Sequence, residues 1–137
     1  MVDVLFVCVH NAGRSRMAEA LFNQRSRELH GGRWAAASAG TQPAEHPHPE
    51  VVRAMAELGL TVEQRPGMLL TPDLADGARL MISMGCNVEE ACPAVATPME
   101  DWALADPKGK DPDAVRAIRD DVARRVDELL ARLAAGA

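Results

Sequence analysis

Apolar residues recur along this chain in two alternating rhythms. Residues 2–7, Val-Asp-Val-Leu-Phe-Val, form a short β-branched run that is apolar on both alternating faces from Val4 onward, which predicts a strand buried on both sides of a parallel sheet. Over residues 15–27 the spacing changes: Met17, Ala18, Leu21 and Phe22 share one helical face, so a helix packed on that sheet is expected. Residues 33–39 predict a second strand, ended by Gly40 and by a turn-rich stretch, 41–49, that holds three prolines. Val51, Val52, Met55 and Leu58 then mark a short amphipathic helix stopped by Gly59, and Thr61-Val62 is read as a brief extended segment. Residues 69–75 fit either state, with Thr71 before Pro72 favouring the start of a short helix. Leu80-Met-Ile-Ser-Met84 is the clearest later strand and delivers Gly85 and Cys86 at its carboxyl end. From residue 111 onward Val115, Ile118, Val122, Val126, Leu129, Leu130 and Leu133 repeat at helical spacing, giving a long closing helix whose charges form a solvated face. Strands alternating with helices imply an α/β fold with a parallel sheet covered on both sides. Ligands of such sheets sit beyond the carboxyl ends of the strands, where both Cys8 and Cys86 fall.

Composition narrows the class. A chain of 137 residues is expected to form one domain, 1–137, and to bury about two thirds of its unfolded surface. A net charge of −5, with acids gathered toward the C-terminus, disfavours a nucleic-acid partner. The longest apolar run, at the N-terminus, is far too short for a membrane span and lacks a basic leader, so a cytoplasmic protein without a membrane role is expected, taken as a monomer. Three cysteines, Cys8, Cys86 and Cys92, are an odd count that points to reactive or metal-binding thiols rather than a disulfide framework. No zinc site is expected, because a histidine added to Cys86 and Cys92 leaves the ligand set short and the spacing is not a paired C-x2-C. There is no tyrosine, which leaves few aromatic walls for an aryl ligand.

The candidate chemistry lies between the first strand and the first helix, in Cys8-Val9-His10-Asn11-Ala12-Gly13-Arg14-Ser15. A loop that ends in a helix N-terminus offers unpaired backbone N–H groups and the positive end of the helix dipole, which suit a tetrahedral oxyanion. Gly13 allows close backbone approach, and Arg14 can fork two donors onto the anion. The same field favours a thiolate on Cys8, to which Ser15 can donate a hydrogen bond while Asn11 braces the loop. His10 is expected to give its backbone N–H to the anion nest with its ring turned away, and His46 and His48 to occupy a solvent-facing turn without a specific role. Trp34 and Trp102 are read as packing residues. Taken singly, Cys8 is a strand-end thiol, Arg14 a surface charge and Asp106 before Pro107 a turn former; their joint spacing is what indicates function.

That loop resembles the C-x5-R-S loop of the low-molecular-weight protein tyrosine phosphatases and of the arsenate reductases that share their fold. The likeness extends through Arg16-Met-Ala-Glu19, Ser38-Ala-Gly40, Cys86 to Pro93, Glu100-Asp-Trp102 and Asp106-Pro107. It implies a three-layer α/β/α fold with a four-stranded parallel sheet. Within the superfamily the chain looks like the reductase branch: the phosphatases it resembles follow Asp-Pro with tyrosines, whereas Lys108-Gly109 follows here, and a reductase needs the further thiols Cys86 and Cys92. The resemblance implies that the Cys8 thiolate attacks arsenate held by the amides of residues 9–15 and by Arg14, with Asp106 as general acid. Cys86 would then attack Cys8, and Cys92 would move the disulfide outward to an external reductant. No tightly bound cofactor is implied.

Two reductants fit different features. Thioredoxin-coupled relatives separate their two distal cysteines by one residue more than the five found here, while Met84-Gly-Cys86 and Glu100-Asp-Trp102 look more like the mycothiol-dependent branch, which works with a redoxin. Five intervening residues leave slack for an intramolecular relay, and thioredoxin is the expected partner. Some relatives bind potassium; Glu19 is kept, but Met68 stands where a second carboxylate is expected, so no potassium is predicted. A phosphatase of small phosphoesters and a redox-sensing oxyanion module remain the alternatives, because phosphate, sulfate and arsenate share one geometry.

Overall fold

The computed structural model describes residues 2–85 and 96–136. Cys86 and Cys92 therefore lie outside the described residues. Four parallel strands, β1 (Val2–Cys8), β2 (Ala36–Gly40), β3 (Ala78–Ser83) and β4 (Met99–Asp101), form one sheet in the order β2-β1-β3-β4. The helices are α1 (Arg14–His30), α2 (Pro49–Ala56), α3 (Pro72–Asp76) and α4 (Pro112–Gly136).

β1 is central, and its continuous apolar run is explained by burial from both sides. Val4 and Phe6 face a large core with Met17, Leu21, Phe22, Met55, Val122 and Val126, which brings α1, α2 and α4 onto one face. Leu5 and Val7 face a smaller core with Ala39, Leu70, Ala75 and Met81, where α3 packs. The architecture is thus the expected α/β/α arrangement with a four-stranded parallel sheet.

Several elements differ from the sequence reading for physical reasons. β2 begins only at Ala36, because Trp34 is engaged by α1: its C=O accepts from Ser26 Oγ (2.6 Å) and its N–H donates to the same oxygen (3.2 Å). Thr61-Val62 forms no strand. Val62 is buried, but the carbonyls of Glu63 and Arg65 accept from the Arg16 guanidinium at 2.9 and 2.5 Å instead of joining a ladder. β4 carried no apolar signal, being three residues of alternating exposure on the sheet edge. Thr71 does cap α3, accepting from Leu74 N–H at 3.2 Å. α2 ends before Gly59, whose φ of 74° lets Leu60 N–H turn back to the Met55 carbonyl. Trp102 is a core residue, packed 5.6 Å from the Phe6 ring. No helix among the described residues is long and apolar enough to cross a membrane.

Candidate active site

β1 ends at Cys8 and α1 begins at Arg14, so five residues turn the chain at the carboxyl edge of the sheet. Their carbonyls are all engaged by groups outside the loop. Cys8, Val9, His10 and Ala12 accept from the N–H groups of Thr41, Gln42, Ala44 and His48, and the Asn11 carbonyl accepts from Arg16 Nε at 2.6 Å. Gly13 accepts from Met17 within the first turn of the helix. In a trans peptide the N–H points opposite to the preceding carbonyl. Carbonyls 8–13 turned toward the protein body therefore leave the N–H groups of residues 9–14 turned the other way, as an anion nest requires. Asn11 makes the turn possible with a φ of 50°, and its N–H lies 3.2 Å from Cys8 Sγ.

The sulfur is held by a defined set of donors. Ser15 Oγ lies 2.9 Å from Cys8 Sγ, and Asn11 Nδ2 donates to Ser15 Oγ and to Ser38 Oγ, each at 2.9 Å. Because Ser15 Oγ accepts from Asn11, its own proton is free to point at the sulfur. Asn11 is fully buried, and its Oδ1 accepts the Met68 N–H at 2.9 Å. Met68, the position compared with a potassium ligand, thus supplies a backbone donor to the loop.

Arg14 comes from the first residue of α1, and its side chain is only 9% exposed. Its Nη1 donates to the Leu104 carbonyl at 3.1 Å, and Nη2 lies 3.9 Å from Asp106 Oδ2. Asp106 Oδ1 accepts the Lys108 N–H, and Gly109 N–H donates to Glu50 of α2, which fixes the segment across the cleft. Pro107 closes against Gly13, where an added Cβ would stand 2.9 Å from Pro107 Cγ and 3.1 Å from His48 Cδ2. Gly85, at a φ of 79° that disfavours a side chain, lies so close to the Arg14 guanidinium that a Cβ there would meet Nη1 and push it aside.

A small cleft is lined by Cys8, His10, Gly13, Arg14, His48 and Asp106. The fold thus brings Asp106, about a hundred residues away in sequence, to the thiol and the guanidinium. It also adds His48, which the sequence reading had placed in a solvent-facing turn; its half-buried ring sits edge-on to His10 at 6.4 Å. Burial holds the His48 imidazole below its ordinary pKa, against the opposing pull of Glu50 and Asp106. The signal available in sequence was only His48 before Pro49, a helix-entry position that says nothing about which way the ring points. His10 is fixed through its Nδ1 to the Gln42 carbonyl at 3.1 Å, and the residue is part of the cleft lining. Chemically, the arrangement offers a thiol with directed donors, a fixed cation and a carboxylate around one small cleft whose lining holds no Phe, Tyr or Trp among the described residues.

The comparisons agree with that geometry. The family model "Low molecular weight phosphotyrosine protein phosphatase" matches residues 3–136. A Halobacterium salinarum protein, whose arsenate reductase name is itself provisional, is 40% identical over 90% of this chain and 87% of its own length. The "Glutaredoxin arsenate reductase" of Synechocystis is 32% identical, covering 97% of this chain and 99% of that one. A thioredoxin-dependent arsenate reductase of Corynebacterium glutamicum superposes with a TM-score of 0.81 at 31% identity, over all of this chain and 64% of that one. The chain is an enzyme of the low molecular weight phosphotyrosine protein phosphatase family.

Proposed function

We propose that the protein is a cytoplasmic arsenate reductase regenerated by an external thiol system. The observation that carries this reading is the cleft itself: Cys8, Arg14 and Asp106 surround a space walled by Gly13 and two histidines, in a chain without tyrosine. An aryl phosphate finds no Phe, Tyr or Trp wall there, whereas arsenate needs only the nest and the guanidinium.

The Cys8 thiolate attacks arsenic while the N–H groups of residues 9–15 and Arg14 hold the oxyanion. Asp106 gives a proton to the departing oxygen, which leaves as water, and a Cys8–S–As(V) adduct results. A second thiol then attacks the Cys8 sulfur; the S–As bonding pair passes to arsenic, arsenite departs, and a disulfide on Cys8 remains. We assign that thiol to Cys86 on the sequence alone. Cys92 would next attack Cys86, leaving a Cys86–Cys92 disulfide for an external reductant, and the relative named as thioredoxin-dependent supports thioredoxin in that role. The glutaredoxin-named relative, which matches over nearly its whole length, favours a second reading in which a small thiol and a redoxin replace the relay.

Following NADPH loss with arsenate tests both. Turnover with thioredoxin and its reductase, lost in Cys86→Ser and Cys92→Ser, is expected. Turnover only with glutathione or mycothiol and a redoxin would overturn the relay. Aryl phosphate hydrolysis that survives both substitutions, without arsenate turnover under any reductant, would make the protein a phosphatase.

A further inference from the structure

We infer that Arg65 is a positioning residue for the Cys8 thiolate, fixing the far end of a line of hydrogen bonds that sets the Ser15 proton on the sulfur. The inference rests on reading Cys8 as the nucleophile.

The line is continuous. Arg65 Nη2 donates to Glu19 Oε1 at 3.2 Å, and the same carboxylate oxygen accepts Ser38 Oγ. Ser38 and Ser15 each take one of the two Asn11 Nδ2 hydrogens, and Ser15 reaches Cys8 Sγ. The Met68 N–H on Asn11 Oδ1 excludes the flipped amide, since a flip would set two donors against each other. Every proton in the row therefore has one place to go: Ser38 gives to Glu19, and Ser15 gives to Cys8.

What keeps Glu19 in that place is Arg65. The two side chains are 24% and 33% exposed, so water competes for the carboxylate on one side. Glu63 holds the other edge of the same guanidinium, with Arg65 Nε 3.2 Å from its Oε2. Residue 65 is also tied to the loop through its backbone. Arg16 donates to the Arg65 carbonyl and, through Nε, to that of Asn11, so the cation and the loop share one clamp. Without the guanidinium Glu19 can turn to solvent, Ser38 loses its acceptor, and the Asn11 amide loosens its hold on Ser15. Losing the positive charge acts on the thiolate in the same direction. A cavity of about 390 Å³ lined by Arg16, Glu19, Asn23 and Arg65 opens beside the pair, so a small cation can enter once the side chain is removed.

The test is the pH profile of Cys8 alkylation by iodoacetamide, followed on the Cys8 peptide by mass spectrometry in the full chain. Arg65→Ala is expected to raise the midpoint by about half a pH unit, less than the roughly one unit for Ser15→Ala, which removes the donor to the charged sulfur. Arg65→Lys should stay near wild type, and added guanidinium should pull Arg65→Ala back. A folded Arg65→Ala whose profile overlays wild type overturns the inference, as does an Arg65→Lys shift equal to that of Arg65→Ala. Should Arg65→Ala fail to fold, Arg65→Gln carries the same comparison. The readout uses no arsenate, so a wild type inert toward arsenate ends the reductase reading alone, and an unshifted Arg65→Ala in an active reductase ends this one alone.

Discussion

Glu57 and Glu19 both hold arginine partners, and they differ in where their hydrogen bonds lead. Glu57, just past α2, accepts from Arg116 at 3.0 and 2.7 Å and from Arg119 at 2.7 Å, joining α2 to α4 on the surface. Those bonds, Arg116 first, hold its carboxyl down at about 2. Glu19 has one guanidinium at 3.2 Å and one serine. By number and length the Glu57 cluster is the stronger, yet its carboxylate is solvent-exposed and its bonds lead on only to the Ala54 carbonyl, Asp113 and Asp120. The Glu19 line ends on a sulfur. Connection to a reactive atom, rather than density of ion pairing, separates a working carboxylate from one that braces two helices.

The largest break in that contrast is expected from Asn11→Ala. It removes the donor to both serines, leaves the Met68 N–H without its acceptor and puts alanine at a φ of 50°, so unfolding in urea should show a loss of about 2–4 kcal/mol. A loss under about 1 kcal/mol would mean that the network relaxes without it. Asp106→Asn comes next: arsenate turnover should fall about a hundredfold while Cys8 alkylation at neutral pH holds, because in the proposed mechanism the carboxylate serves the leaving oxygen and not the sulfur. Unchanged turnover would remove Asp106 from the acid role.

His48→Gln should act on the pH dependence of stability. The folded state keeps His48 neutral below its ordinary 6.5, so as pH falls through that value the unfolded chain takes the proton first and stability declines. The variant should flatten this decline between about pH 7 and pH 5 in thermal unfolding, and an unaltered slope would refute the assignment. Glu57→Gln should do least. With its carboxyl depressed, Glu57 contributes above the ordinary carboxylate range and loses that contribution as pH falls toward about 2, so the variant should differ from wild type mainly in weaker stability above pH 5 or so. Cys8 alkylation should be untouched; a change there would erase the distinction between the two carboxylates.

Much of the molecule was legible in the residues. The doubly apolar run of β1, the helical stripe of α4 and the Cys8 to Ser15 loop between strand and helix were each written locally, because a strand buried on both faces and an amphipathic helix leave periodic traces. β4 was not, since three edge residues bury too little to need apolar side chains. Nor was the fate of Thr61-Val62, whose neighbouring carbonyls are claimed by a guanidinium forty-odd residues earlier. His48 read as a turn residue and sits in the cleft.

By itself, then, the sequence determined the longer elements, the sheet class and the thiol-bearing loop, because backbone periodicity and turn chemistry act over a few residues. Only the tertiary structure decided which distant groups face that loop: Asp106 across from Arg14, His48 against Gly13, Gly85 beneath the guanidinium and the Arg65–Glu19–Ser38 line behind Asn11. Those choices depend on the close approach of segments with no local signature, where a missing Cβ or one shared hydrogen bond sets what can touch.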